Sequence, residues 1–137
     1  MTPISIGIAG ALLQIVLFEW QKQFHKNSIY ALSLAGIGFL YVGFTWTHLP
    51  TACIASVQAI VFLFIAYYGL TKSPYILAMG YFLHGLWDIS YNLWQDPALL
   101  PPHYDWFCLS LDFTVGTYLI FKYIKQKDTT SNESRSI

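Results

Sequence analysis

Charged side chains are scarce in this sequence: Asp, Glu, Lys and Arg make up 10% of its 137 residues, against roughly 25% in a soluble domain. That scarcity excludes an ordinary water-wrapped globule. The seven Lys/Arg offset the seven Asp/Glu, and no basic patch stands out, so nucleic acid is not an expected partner. The chain also lacks a phosphate-cradling glycine loop, a zinc-ribbon spacing and an internal repeat. Its two cysteines, Cys53 and Cys108, are too few for a disulfide scaffold and are not arranged as a redox pair. The opening Met1-Thr2-Pro3 has none of the basic residues of a secretory signal. The first apolar run contains Gln14 and ends in Glu19-Trp20, so it is expected to be retained as a span.

Hydrophobic residues make up 55% of the chain and aromatic residues 18%. A bilayer core of about 30 Å takes roughly 17 to 25 mostly apolar helical residues. Five windows meet that length: Pro3 to Trp20, Ser28 to Trp46, Thr51 to Leu70, Tyr75 to Trp94, and Trp106 to Tyr123. Backbone groups cannot go unpaired in hydrocarbon, so the windows are read as helices. The expected fold is an all-α integral membrane bundle of five transmembrane helices. Pro50, Pro74 and the stretch from Asp96-Pro97 to Pro101-Pro102 punctuate the gaps. Lys22 and Lys26 fall in the first gap, Lys72 in the third, and Lys122, Lys125, Lys127 and Arg135 at the end. All seven basic residues thus share one side of a five-span topology, which places the N-terminus outside and the C-terminus inside. Trp20, Trp46, Trp94 and Trp106 close or open spans, as interfacial anchors do. Residues 1–127 are read as one membrane domain, and 128–137 as a disordered cytoplasmic tail with little to bury.

Ionisable groups inside these windows are the main functional clue, because a charge at membrane depth needs a partner or a task. At about 1.5 Å per residue, Asp88 and Asp112 each lie roughly 9 Å below the outer ends of spans four and five. Gln58 comes out at the same level, and Gln14 and His84 fall about 15 Å down. His84 and Asp88 are one turn apart, on a face continued by Tyr81, Tyr91 and Asn92. Cys108 and Asp112 repeat that spacing on the next span, and Gly80, Gly85 and Gly116 permit close helix approach.

Each feature also has a plainer reading. The Asp residues can be interhelical glue worth about 1 kcal/mol, and the glutamines can simply bond across helices. Glu19, near the inner surface, is expected to snorkel or pair with Lys22. The aromatic stripe of spans three and four is first of all packing, and His48 and His103 are loop residues. A metal could use His84, Asp88 and Asp112 with Cys108 or His103, at a spacing that permits it without diagnosing it. Cys53 and Cys108 both lie just inside outer span ends, where a disulfide is an alternative to two free thiols.

The run His84-Gly85-Leu86-Trp87-Asp88, a proline-containing outer loop, and then Cys108-Leu109-Ser110-Leu111-Asp112 resembles a family of small multi-spanning bacterial membrane proteins of unknown function. In that family a helix with His-x-x-Trp-Asp precedes one with Cys-x-x-x-Asp. The likeness covers Ala78 to about Phe121. Where relatives often have a His pair after the Trp-Asp, this chain has Tyr91-Asn92, which counts against a metal. The resemblance implies a bacterial inner (plasma) membrane location but no activity. A looser likeness is to sterol-isomerase-like membrane enzymes, in which a His and a carboxylate one turn apart move a proton in a lipid-facing cavity.

The sequence therefore leads to a polar intramembrane site in the outer half that binds, or acts by acid/base chemistry on, a lipidic small molecule. Asp88 and Asp112 would share a proton, with His84 as acid or base. Gln14, Gln58, Tyr81, Trp87, Tyr91, Asn92 and Cys108 are the expected ligand-binding residues. Membrane lipids are the expected surroundings, and neither a cofactor nor a metal is named by the sequence. The alternatives are an accessory subunit of a larger membrane complex, or proton- or metal-coupled transport by a homo-oligomer.

Overall fold

A computed structural model describes residues 2–22, 25–94 and 97–137; Asp96, expected in the fourth gap, lies outside them. The fold is all-α, with 89% of residues helical and no strand among the described residues. Five helices follow one another: α1 (Pro3–Trp20), α2 (Lys26–Thr45), α3 (Leu49–Thr71), α4 (Pro74–Trp94) and α5 (Tyr104–Ser136), with one 3-10 turn, Pro97–Leu99, before α5.

Local chemistry sets the helix starts. Proline stands in the first turn of α1 and α3 and opens α4, where its missing N–H costs no helical bond. Thr2 caps α1 by accepting from the Ser5 N–H at 3.2 Å. Because Pro50 fits the first turn of α3, that helix begins at Leu49, earlier than the Thr51 expected. The end of α5 differs more. The segment expected to be a disordered tail continues as helix to Ser136, exposed throughout. It contains no proline or glycine to stop it, and the Thr129 and Thr130 hydroxyls bond back to the carbonyls of Lys125 and Gln126.

Helices α1, α2, α3 and α5 are long and apolar enough to cross a membrane. α4 is long enough but falls outside that set because His84, Asp88 and Asn92 interrupt its apolar run. Large apolar side chains cover the outside of the molecule, among them Leu32, Val57, Leu13 and Phe121, each more than 60% exposed. So large an uncovered apolar surface suits a lipid surround.

Short connections make chain neighbours antiparallel, and α4 packs most extensively on α5, α2 on α3, and α1 on α5. The order around the bundle is therefore α1, α5, α4, α3, α2, with only slight contact between α1 and α2. α1 crosses α5 at Gly7, where a Cβ would fall 2.0 Å from the Ser110 hydroxyl and 2.4 Å from the Phe107 carbonyl oxygen. At Gly85 it would meet the Phe113 ring at 2.9 Å, so the α4–α5 seam also depends on a missing side chain.

One end of the bundle is tied by charge. Lys122 Nζ reaches Glu19 Oε1 at 2.6 Å, and Lys26 Nζ lies 3.9 Å from Glu19 Oε2. Lys26 also donates to the carbonyls of Phe18 and Gln21, at 3.0 and 2.8 Å, and to that of Glu19, filling the open end of α1. The partners of Glu19 are thus Lys122 and Lys26 rather than the Lys22 expected, because α5 brings Lys122 beside it.

Candidate polar site at the α4–α5 seam

On α4 the buried positions include His84, Asp88 and Tyr91; on α5 they include Cys108, Asp112 and Val115. Each set follows the spacing of one helix face, and the two faces meet. The structure brings His84, Asp88 and Asp112 together with ligand-type atoms all within 4.8 Å of one another. None of the three is more than 1% exposed. His84 Nδ1 is 2.8 Å from Asp112 Oδ2 and 3.4 Å from Asp88 Oδ2. A proton held between Nδ1 and Asp112 is needed to make the shorter contact a hydrogen bond.

A residue the sequence reading missed completes the cluster. Tyr41 of α2 is fully buried and donates its hydroxyl proton to Asp88 Oδ1. Its ring lies 6.0 Å from that of His84 and 5.1 Å from that of Tyr91. Nothing in residue type marked Tyr41 among ten tyrosines. Its depth did: five residues inside Trp46 is about 7.5 Å down, level with Asp88.

The other expected residues divide. Trp87 is half-buried beside the cluster, with its ring 6.3 Å from Tyr41 and 5.1 Å from Trp94. Tyr91 and Cys108 are buried near it, Cys108 one turn before Asp112. Gln58 is 5% exposed on α3, and neither of its amide atoms has a hydrogen-bond partner among the described residues. Gln14 instead donates to the Ser33 hydroxyl at 3.0 Å, joining α1 to α2. Tyr81 donates to the Tyr30 carbonyl at 2.7 Å. Both read as interhelical bonds. Asn92 is exposed and donates to Asp105 at 2.6 Å, bracing the start of α5. Cys53 and Cys108 are free thiols, the first exposed and the second buried, so the disulfide alternative is not realised. His48 bonds the Thr51 hydroxyl at 2.7 Å.

A groove of about 680 Å³ runs beside the cluster, between α3 and α4 rather than between the two carboxylate-bearing helices. Gln58, Phe62 and Trp87 line it, and no charged residue does among the described residues. Phe62 also packs edge-on against His84 at 4.8 Å, so one ring separates the groove from the imidazole.

The imidazole and two carboxylates could hold a divalent cation, and two Asp charges would neutralise it. The second layer fits less well. A metal-bound imidazole ordinarily passes its remote N–H to a carboxylate or carbonyl, whereas His84 Nε2 has no hydrogen-bond partner among the described residues. A shared proton accounts for the contacts without that requirement.

The chain belongs to a family of unknown function, DUF6010, whose model matches residues 2–125. No curated protein and no solved structure matches it.

Proposed function

We propose that this is a five-span membrane protein, N-terminus outside and C-terminus inside, whose outer half holds an acid/base site for a lipidic small molecule. The observation behind this reading is the fully buried His84, placed between Asp88 and Asp112 in a bundle whose lysines lie elsewhere. Isolated ionisable groups at membrane depth are costly and mark function by default.

With its proton on Nδ1, His84 presents a lone pair at Nε2. Nε2 would take a proton from a bound molecule as Asp112 accepts the one on Nδ1, and the reverse movement returns it. Tyr41 holds Asp88 Oδ1 and so fixes that carboxylate relative to the imidazole. The α3–α4 groove supplies an apolar berth next to the Phe62 ring. The one-sided lysines and the exposed tryptophans at helix ends support the topology, and a bacterial inner membrane with the basic end in the cytoplasm fits it.

The test is native mass spectrometry of protein extracted in a mild detergent. Wild type should retain a lipidic molecule, and Asp88→Asn and Asp112→Asn should lose it by at least about tenfold with helical content unchanged. Retention at wild-type level in both variants would refute the reading. The tight clustering of three ligand-type atoms favours one second reading, a divalent-cation site. Stoichiometric zinc or iron in the purified protein, lost in Asp112→Asn, would replace the proton by a metal.

A further inference from the structure

The lysine-bearing end of the bundle has a groove of its own along α5. Its volume is about 750 Å³, and Tyr118, Phe121, Lys122 and Lys125 line it, followed by Gln126 and Thr129. These positions advance in steps of three and four, so they form one face of the helix. Earlier on that face, Phe107 and Leu111 lie against Gly7 and Gly10 of α1. α1 stops at Trp20, beside the ion pair of Glu19 with Lys122. Beyond that pair the face has lost its neighbour, and Phe121 is 67% exposed. Lys125 lies about 20 Å along α5 from Asp112, so the groove is separate from the buried cluster.

Depth determines what such a face meets. α5 opens at Tyr104, and Lys122 and Lys125 follow it by roughly 27 and 32 Å at the helical rise. The hydrocarbon core of a bilayer is about 30 Å thick. With Tyr104 at one boundary, Tyr118 and Phe121 therefore face the last of the acyl chains at the other, and the two ammonium groups reach the level of the lipid phosphates.

Charge then selects the occupant. Lys122 shares Glu19 with Lys26, at 2.6 and 3.9 Å, so two cations face one anion. Lys125 is exposed and has no ion-pair partner among the described residues. Asp128 stands one turn further on, yet among the described residues it neither pairs with Lys125 nor lines the groove. A phosphodiester supplies the missing anion and can accept from both ammonium groups. A zwitterionic head group would bring its own cation beside Lys125, where no acid lines the groove among the described residues. An acidic protein segment would suit the lysines, but to cover Phe121 it would have to carry backbone polar groups into hydrocarbon. An acyl chain covers that ring without such a cost.

We propose that this face of α5 binds an anionic phospholipid, its phosphate between Lys122 and Lys125 and an acyl chain against Tyr118 and Phe121. The site goes beyond the acid/base function and does not depend on it.

The experiment titrates the full chain, delipidated in a mild detergent, with phosphatidylglycerol and with phosphatidylcholine of the same acyl chains. Bound lipid is read by native mass spectrometry. Phosphatidylglycerol should bind about tenfold more tightly, the size of one charge-assisted hydrogen bond. Lys125→Gln should remove most of that preference. Lys127→Gln takes the same charge from the opposite side of the helix and should leave the preference intact. Both lysines are exposed and unpaired among the described residues, so neither change disturbs the packing. A photoactivatable acyl chain on the phosphatidylglycerol should cross-link within residues 117–126.

Equal affinity for the two lipids would mean ordinary annular contact and would overturn the proposal. So would equal losses in Lys125→Gln and Lys127→Gln, which would reduce the effect to overall charge, or cross-links confined to other segments. Displacement of phosphatidylglycerol by excess inorganic phosphate would also overturn it, because the groove would then be a site for a soluble anion.

Discussion

Tyr41 and Gln58 present opposite energetic situations at neighbouring sites. The Tyr41 hydroxyl satisfies a buried carboxylate oxygen, so Tyr41→Phe strands Asp88 Oδ1. The expected cost is about 1–3 kcal/mol, read as a lower midpoint of thermal unfolding in detergent together with weaker ligand retention. Gln58 has no hydrogen-bond partner to lose among the described residues. Gln58→Leu should leave thermal stability unchanged or raise it by up to about 1–2 kcal/mol. A clear fall in its unfolding midpoint would show that the amide is paired in the working protein. The sequence made His84, Asp88 and Asp112 conspicuous because each is ionisable in an apolar run and the depths matched. Tyr41 was invisible on residue type, since a tyrosine in a membrane helix is unremarkable until its partner is known. Gln14 and Gln58 looked alike in sequence, and only the packing shows that one bonds Ser33 while the other is buried with no hydrogen-bond partner among the described residues.

At the scale of elements, helix contacts divide the glycines into two kinds. Gly7 lies against the α5 backbone, whereas a Cβ at Gly36 or Gly43 would meet nothing within 4 Å. Gly7→Leu should therefore force α1 from α5 and destabilise the protein by about 3 kcal/mol or more, at or beyond the upper end of ordinary overpacking. Gly36→Leu and Gly43→Leu should be neutral or slightly stabilising through helix propensity. The three variants compared in one detergent unfolding series check this, and an equal effect at Gly36 would indicate that a second chain covers that face. Helix positions were legible from apolar length and proline punctuation, with errors of a few residues at the ends. The end of α5 was not, because polar composition argues against burial but not against a helix that continues, exposed, beyond its last packed turn. Removing 128–137 should accordingly leave the unfolding midpoint of the bundle unchanged, since no residue of that stretch is buried.

For the molecule as a whole, the order α1, α5, α4, α3, α2 could not be read from the sequence, because a uniformly apolar helix does not declare its neighbours. The proposed orientation, N-terminus outside, rests on the lysines alone. In a Cys53→Ser background, Leu49→Cys should react with an impermeant maleimide on intact cells, and Lys125→Cys only after the cells are opened. The opposite pattern would invert the proposed orientation, and reaction of both on intact cells would remove one span. The ion pair between Glu19 and Lys122 joins residues 103 apart. During synthesis α1 therefore reaches the bilayer long before its chief counter-ion has been made, and meanwhile has little of α2 to rest on. A chain halted short of α5 should therefore hold its first helix more loosely than the full bundle does, and faster proteolysis of α1 in a chain truncated before Tyr104 would show it.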